Sequence, residues 1–429
     1  MNILALDVGT SSVKAAVLEQ SAGLPLGQVV QQAYPLEQPE PDAAVIAPEK
    51  LRSAVFAAGR AAARGLRVEG IGLSCLSPGL ILLGRKDQPL TPIITHLDRR
   101  ARAEARHFDA EIGPEFLREN GNRPLPGGIS AVVFRHLSQK TPGLPTQIRR
   151  YLHLNSWLGL LLTGQCAMDP ANACFSGLYA ALKERDWSLR WCEYFGVDRR
   201  WLPLILPGEH EFGTLNPEAA QELGLTPGIP VKLGTADTSS AMLAARLGVG
   251  GVLHVVGTTQ VLATVTLNPQ PDQRRLTRPF GVGLAFLHVT HNPVGGLALD
   301  WLHQLCFRDQ KAEEFYRTTI PLAQRQTTNV KLESPFLGGD RLEIEERHAV
   351  WTNLSLATDR LDLLASVLAA MREGHRQAWA NLGLAQRPNR IVLTGGAADV
   401  VASLLPEYAQ AKVERLEQGS LRGVARLFD

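Results

Sequence analysis

The sequence predicts an α/β protein built as two lobes around a cleft. Three observations predict it. The chain has 429 residues, enough for two domains. It opens with an apolar strand, a hydroxyl-rich tight turn and a second apolar strand, over Ile3 to Val17. A stretch of the same plan, Gly250 to Val265, stands in the second half, the pattern of an internal repeat.

The opening stretch carries the chemistry. Asn2 to Val8 is an apolar run broken only by Asp7, and its length suits a buried strand. Gly9 to Ser12 forms the turn, with Gly9 expected to use backbone angles closed to other residues. Val13 to Leu18 is the returning strand. A carboxylate in a buried strand is costly unless it is paired or holds a metal. Gly9, Thr10, Ser11 and Ser12 offer backbone N–H groups and three hydroxyls in one loop, which suits phosphate oxygens. Asp7 beside them suits a magnesium ion carried by the same phosphates. The plain alternative is a hairpin turn that happens to carry an Asp.

Gln28 to Tyr34 reads as a third strand, followed by a Pro- and Glu-containing loop to Pro48. Pro48 opens a helix at its first position. Leu51, Val55, Ala58 and Ala62 share one face, and Gly65 stops it. Gly70 to Leu76 and Leu80 to Leu83 are two more strands. Three strands, a helix and a strand is the order of a ribonuclease-H-like lobe. The Ala, Arg and Glu content of Pro92 to Arg106 predicts a helix with a solvated basic face. Leu152 to Leu162 is an apolar helix ending at Gly164, and Ala167 to Leu178 is a small-residue loop holding Asp169 and Asn172. Trp187, Trp191, Tyr194, Phe195 and Trp201 are expected in the core, because aromatics carry so much apolar area.

Thr226 to Pro230 is turn-forming, and the domain boundary is drawn there, giving lobes 1–232 and 233–429. The chain restarts with Val231 to Ser240, read as a strand, a Gly234-Thr235 turn and Asp237. Gly250 to Val265 follows as strand, Gly257-Thr258-Thr259 turn and strand. Leu361 to Leu382 is a long helix with Leu364, Val367, Leu368 and Met371 at helical spacing. Arg390 to Ala398 is a strand running into Gly395-Gly396 and then a helix. Two glycines there let backbone approach a flat ligand closely; the plain alternative is an ordinary strand-to-helix connection.

Composition narrows the function classes. Hydrophobic content of 45% and charged content of 20% are those of a soluble globular protein. A net charge of +2 argues against general nucleic-acid binding. No apolar run reaches membrane-spanning length, so no membrane partner is expected. The chain enters its first strand without a charged leader, so no signal peptide is expected. The five cysteines, Cys75, Cys166, Cys174, Cys192 and Cys306, form no CxxC pair. They indicate neither a disulfide framework nor a zinc site, and a reducing cytoplasm is the expected home.

Asp7-Val8-Gly9-Thr10, Gly234 to Asp237, Gly257-Thr258-Thr259 and Leu393-Thr394-Gly395-Gly396 stand in a fixed order. This order resembles the sugar kinase/heat-shock protein/actin superfamily. More narrowly it resembles the FGGY family of carbohydrate kinases, with xylulokinase- and ribulokinase-like members nearest. Leu97-Asp98-Arg99-Arg100 resembles the family's Trp-x-Asp-x-Arg region, and Gly295-Gly296 followed by Trp301 its Gly-Gly…Trp segment. Pro335 to Arg341 is similar to Pro-x-Leu-x-Gly-Glu-Arg, and Glu373-Gly374 to the family's Glu-Gly pair. Two departures fall where the sugar is expected: Cys75-Leu76-Ser77-Pro78-Gly79 replaces a Gly-Gln-Met-His-Gly segment, and His96 replaces the Trp.

The resemblance implies two actin-like ATPase lobes flanking a catalytic cleft, the first binding sugar and phosphate and the second nucleotide. It implies transfer of the γ-phosphate of ATP to a hydroxyl of a small sugar, a ketose such as a pentulose, or to a polyol. Asp237 would be the base and touch the substrate, Asp7 would hold hydrated Mg2+, and Thr10 and Ser11, with Gly9, would contact the transferring phosphate. Gly257, Thr258 and Thr259 would bind phosphate from the second lobe, and Gly395 and Gly396, with Gly295, would line the nucleotide. Ser77 and Asp98 would face the sugar, although Asp98 equally suits a helix N-cap. Lys14 suits an exposed strand end better than a phosphate ligand. A homodimer is compatible with all of this. The competing classes are an actin- or chaperone-like ATPase and a catalytically inactive sugar-binding regulator. A chaperone would need a peptide-binding domain beyond Gly395-Gly396, and an inactive regulator would need neither Asp7 nor Asp237. No GxxxxGK[ST] occurs, which disfavours a P-loop kinase.

Overall fold

The computed structural model describes residues 1–257, 259–333, 342–396, 398–405, 408 and 411–429, without the side chains of Asp399, Val401 and Leu404. Thr258, Ala397 and the Pro335–Arg341 segment therefore lie outside the described residues. The chain forms two compact units. The first holds 1–246, 266–287 and 418–429, and the second 247–265 and 288–417. Compaction thus does not divide the chain at the turn-rich Thr226–Pro230 stretch, because the strand and helix that follow it pair within the first unit.

The first unit is built on β1 (Asn2–Val8), β2 (Ser12–Glu19), β3 (Val30–Ala33), helix α1 (Pro48–Ala63) and β4 (Gly70–Cys75). Helices α2 (Arg102–Asn120) and α3 (Leu154–Thr163) follow, then β5 (Glu211–Thr214), β6 (Pro230–Ala236) and α4 (Asp237–Ala245). The sheet order is β5-β6-β4-β1-β2-β3. β1 runs antiparallel to β2 and parallel to β4, so Asp7 lies opposite Lys14 on one side and Ser74 on the other. Strand alternation sorts β1 into two buried faces. Leu4, Leu6 and Val8 join the core that includes Leu51, Val55, Ala58 and Ala62 of α1. Ile3 and Ala5 face a second cluster, and Asp7 continues their row.

Several local expectations meet a different outcome. The helix expected over Pro92 to Arg106 begins only at Arg102; Ile93–Thr95 is a strand and Leu97 to Ala101 is a turn. Its expected basic face is also incomplete, because Arg99 is buried and donates to the carbonyls of His96 and Pro126. The loop around Asp169 contains a short helix, Pro170–Cys174, which Asp169 caps. Gly234 is not a turn but an irregularity inside β6. Its φ is +73°, and a Cβ there would stand 1.7 Å from Leu73 O, so only glycine fits. The chain then passes directly from β6 into α4. Trp187, Trp191 and Phe195 are buried, as expected of core aromatics, but Tyr194 and Trp201 are only half-buried, and the Tyr194 hydroxyl donates to Glu111 at the surface.

The second unit repeats the plan with β7 (Val252–Val256), β8 (Gln260–Thr266), β9 (Phe286–Asn292), α5 (Gly296–Cys306), α6 (Arg360–Asn381), β10 (Arg390–Thr394), α7 (Ala398–Leu404) and β11 (Lys412–Arg415). Within this unit the strands run in the order β9-β8-β7-β10-β11, five of the six in their sheet. β7 is antiparallel to β8 and parallel to β10, matching β1, β2 and β4. α6 buries Leu364, Val367, Leu368 and Met371, and Asp359 and Asp362 form its capping box. The chain then returns to the first unit as α8 (Gly419–Arg426). Leu421, Val424 and Ala425 of α8 cover Ile3, Ala5, Ala16 and Leu18. Among the described residues no helix is long and apolar enough to cross a membrane.

Candidate active site

β1 delivers Asp7 to the end of the sheet beside the Gly9–Ser12 turn. The Ser74 hydroxyl donates to Asp7 Oδ1 at 2.8 Å, and the Ser420 hydroxyl donates to Oδ2 at 2.6 Å. Burial pushes the Asp7 carboxyl up to about 6; the Ser420 and Ser74 hydroxyls oppose the rise, the charge of Asp237 adds to it, and Lys14 opposes it weakly. Asp237 occupies the first position of α4 and is exposed, where a carboxylate is favoured by the helix dipole. The Thr238 hydroxyl donates to Asp237 Oδ1 at 3.1 Å. Oδ2 of Asp237 accepts no hydrogen bond among the described residues.

The turn is held from both sides. Gly9 N–H donates to Ser12 O at 3.0 Å, Tyr34 N–H to Ser11 O at 3.0 Å, and the Tyr34 hydroxyl to Gly9 O. Gly9 does not use the left-handed region; its lack of a side chain matters because a Cβ would approach Ser12 O at 3.3 Å. The Thr10 and Ser11 hydroxyls make no hydrogen bond among the described residues, which leaves them open to a ligand.

Behind Asp237, the carboxylate of Asp169 is fully buried. It accepts from Asn155 Nδ2 at 2.9 Å, Asn172 Nδ2 at 2.6 Å, Ala171 N–H at 3.0 Å and the Thr235 hydroxyl at 2.9 Å. Burial still raises it to about 6 against these bonds. Through Thr235 it pins the strand end that leads into Asp237. Arg278, also buried, donates to the Ser239 hydroxyl at 2.7 Å, and burial lowers its pKa.

The two sugar-facing expectations part company. Asp98 is buried and accepts from Ala44 N–H at 3.1 Å, Arg100 N–H at 3.1 Å and the Arg100 guanidinium at 2.8 Å. It is not the N-cap of α2, a position taken by Ala101. Its lone pairs are engaged by its own chain. Ser77 Oγ is instead buried without a hydrogen-bond partner among the described residues.

The second unit gathers its glycines. Gly296 N–H donates to Gly257 O at 2.9 Å, and Gly257 N–H to Thr259 O at 3.0 Å. Gly295 caps α5 with extended backbone. Gly395 has φ +105°, and a Cβ there would stand 2.1 Å from Val256 O; Gly396 opens onto free space. Thr258 lies outside the described residues. Under this surface runs a buried relay that sequence reading did not single out. Gln260 Nε2 donates to Val294 O at 2.8 Å, so its Oε1 accepts from His254 Nε2–H at 2.9 Å, and the Tyr408 hydroxyl donates to His254 Nδ1. Burial pushes His254 well below its usual pKa and His375, 5.1 Å away ring to ring, down to about 4.

Ser74 and Ser420 were likewise missed: a lone serine carries no local signal, and their role comes from the register of β1 with β4 and from the packing of α8. No cluster of three His, Cys, Asp or Glu side chains could hold a metal among the described residues. Magnesium asks less than that, since it keeps several waters and takes one or two carboxylates plus phosphate oxygens. Asp7 fits such a demand: burial above all, and the charge of Asp237 after it, oppose its ionisation, a cost that a bound divalent cation would offset.

Residues 2–244 match the N-terminal domain of the FGGY family of carbohydrate kinases. A gluconokinase from Bacillus subtilis (strain 168) is 25% identical over 360 residues, covering 79% of this chain and 68% of the relative. A xylulose kinase from Lactococcus lactis subsp. lactis (strain IL1403) is 24% identical over 262 residues, covering 59% of this chain and 50% of the relative. The chain thus spans about half the length of that xylulose kinase in the match. The solved structure of a ligand-bound xylulose kinase from Lactobacillus acidophilus superposes with a TM-score of 0.89 at 21% identity, covering 100% of this chain and 88% of that one. A xylulose kinase from Rhodospirillum rubrum superposes with a TM-score of 0.86 at 23% identity, covering 100% of this chain and 89% of that one. These likenesses identify the actin-like ATPase fold of sugar kinases.

Proposed function

Because the chain belongs to the FGGY family of carbohydrate kinases, and so is a phosphotransferase with an alcohol group as acceptor, we propose that it transfers the γ-phosphate of ATP to a hydroxyl of a small sugar, a ketose such as a pentulose, or of a polyol. The observation that carries this is Asp237: an exposed carboxylate with one oxygen uncommitted among the described residues, held on a helix whose preceding strand is pinned by Asp169. Phosphoryl transfer asks a protein for alignment, charge neutralisation and a group to take the hydroxyl proton. Asp237 accepts that proton as the acceptor oxygen bonds to phosphorus. The open hydroxyls of Thr10 and Ser11, with Gly9, receive the transferring phosphate. Gly257, Thr258 and Thr259 take phosphate from the second unit, and Gly295, Gly395 and Gly396 line the nucleotide.

Asp7 would hold hydrated Mg2+, which would supply charge neutralisation for the transferring phosphate. Ser77 Oγ, buried without a partner among the described residues, hydrogen-bonds the sugar. Asp98, whose oxygens are taken by Ala44 and Arg100, acts by holding its own loop rather than on the sugar. The Cys75–Gly79 segment and His96 depart from the xylulokinase pattern, so the preferred acceptor is not simply xylulose, and a pentulose or another small ketose or polyol is the class proposed. All five cysteines are free thiols, which suits a reducing cytoplasm. The test is ADP release across ketoses, aldoses, polyols and gluconate at fixed MgATP. One small sugar or polyol is expected to raise ADP release well above the basal ATPase. If none does, the kinase assignment to a sugar acceptor falls.

A further inference from the structure

Ser420 and Asp7 are 413 residues apart in the chain, yet the serine hydroxyl reaches Asp7 Oδ2 at 2.6 Å. Packing of α8 sets this bond. Leu421, Val424 and Ala425 seat the helix on the β1–β2 face that carries Ile3 and Ala5, the row that Asp7 continues. Gly423 lets the same helix close on α4, since a Cβ there would stand 1.8 Å from Ser240 O. The Ser240 hydroxyl donates to Ser420 O at 2.7 Å. One residue therefore touches β1 through its side chain and α4, the helix that begins at Asp237, through its carbonyl.

We propose that Ser420 is a positioning residue for Asp7, and that α8 is thereby part of the metal–nucleotide site. The proposal rests on the assignment of Asp7 as the magnesium ligand. A carboxylate at a strand end can turn about its Cβ–Cγ bond. Ser74 holds one oxygen and Ser420 the other, so two donors on two oxygens fix the plane of the carboxylate. Magnesium demands near-octahedral geometry, and groups that orient its ligands typically change metal affinity about 10- to 100-fold. Losing the Ser420 hydroxyl should therefore weaken metal binding while sparing the acceptor.

The experiment is calorimetric titration of Mn2+ into the full-length protein saturated with ADP, for wild type, Ser420→Ala, Ser420→Thr and Ser420→Cys. Melting temperature and the KM for the acceptor are recorded alongside. The expected result is Mn2+ affinity about 10-fold weaker in Ser420→Ala, by the usual size of such orienting effects. Ser420→Cys, a weak donor of similar size, should weaken similarly, and Ser420→Thr should return close to wild type. The acceptor KM should stay unchanged, and the melting temperature of Ser420→Ala should fall by no more than the loss of one hydrogen bond to a carboxylate explains. Wild-type affinity in Ser420→Ala overturns the positioning role alone. Equal losses in the Ala and Thr variants overturn it too, because packing rather than the hydroxyl would then be responsible. If Ser420→Ala melts too early to titrate, the Cys and Thr pair decides the matter. Absence of Mn2+ binding to the wild-type ADP complex overturns the Asp7 assignment itself.

Discussion

In the first unit the β1–β2 hairpin carries a carboxylate; in the second the β7–β8 hairpin carries an imidazole. Both hairpins sit antiparallel within their pair and parallel to the next strand, β4 or β10. Asp7 keeps part of its surface at the solvent edge and has its charge supported by two hydroxyls. His254 is fully buried, and both of its ring nitrogens are spent on Gln260 and Tyr408. The same scaffold thus holds a partly exposed carboxylate in one unit and an imidazole sealed into the core in the other. A buried polar residue signals a reactive site only when its remaining valence faces outward.

The strongest way to break that contrast is Asp237→Asn. Loss of the proton acceptor should lower acceptor-dependent kcat by about 10²- to 10⁴-fold, with ADP binding by calorimetry close to wild type. Near-normal turnover would remove Asp237 from the base position. Asp98 tests the opposite property, a carboxylate turned inward. Asp98→Ala leaves Arg100 with only the exposed Glu40 of its two carboxylate partners. It should cost about 3 kcal/mol of stability, read by denaturant unfolding, with the acceptor KM little changed in protein that stays folded. A large rise in KM at unchanged stability would return Asp98 to the sugar.

Acid should act in opposite senses on two buried groups, Asp169 in the first unit and His375 in the second. Asp169 moves from 3.8 to about 6 on folding. For an acid raised in this way, the folded state binds the extra proton between those values, so its contribution grows as pH falls from 6 to 3.8. His375 moves from 6.5 to about 4. Here the unfolded state binds the extra proton, so stability is lost as pH falls from 6.5 towards 4. Each effect amounts to about 3 kcal/mol across its full window. Hydrogen exchange at pH 7 and pH 5, after correction for intrinsic rates, should show α6 losing protection, whereas the gain from Asp169 is opposed within its own unit by His153, which burial lowers to about 4. A gain of protection in α6 on acidification would end the contrast. The smallest expected effect is Gly395→Ala. Its φ of +105° and the approach to Val256 O penalise any Cβ, by about 1–3 kcal/mol for such backbone strain. Nucleotide binding should weaken in calorimetry while Mn2+-independent acceptor binding is retained.

Elements whose signal lies within a few residues were legible in the sequence. β1, its turn and β2 follow from an apolar run, a hydroxyl cluster and a second run. The β7–β8 hairpin repeats them, and α6 shows its buried stripe at helical spacing. Such patterns arise because neighbours at two, three or four residues share a face. Tertiary structure decided the rest. Gly234 reads as a turn residue until Leu73 is found pressed against it. Asp98 reads as a cap or a sugar ligand until Ala44 and Arg100 claim its oxygens. Ser420 reads as nothing at all, because a bond spanning 413 residues leaves no trace in local pattern. Sequence alone determined that this chain has two hairpin-based sheets with an acid beside a phosphate-sized turn. Only the packing of strands and helices distant in the chain decided which carboxylates face outward, since burial and hydrogen-bond partners are properties of neighbours in space.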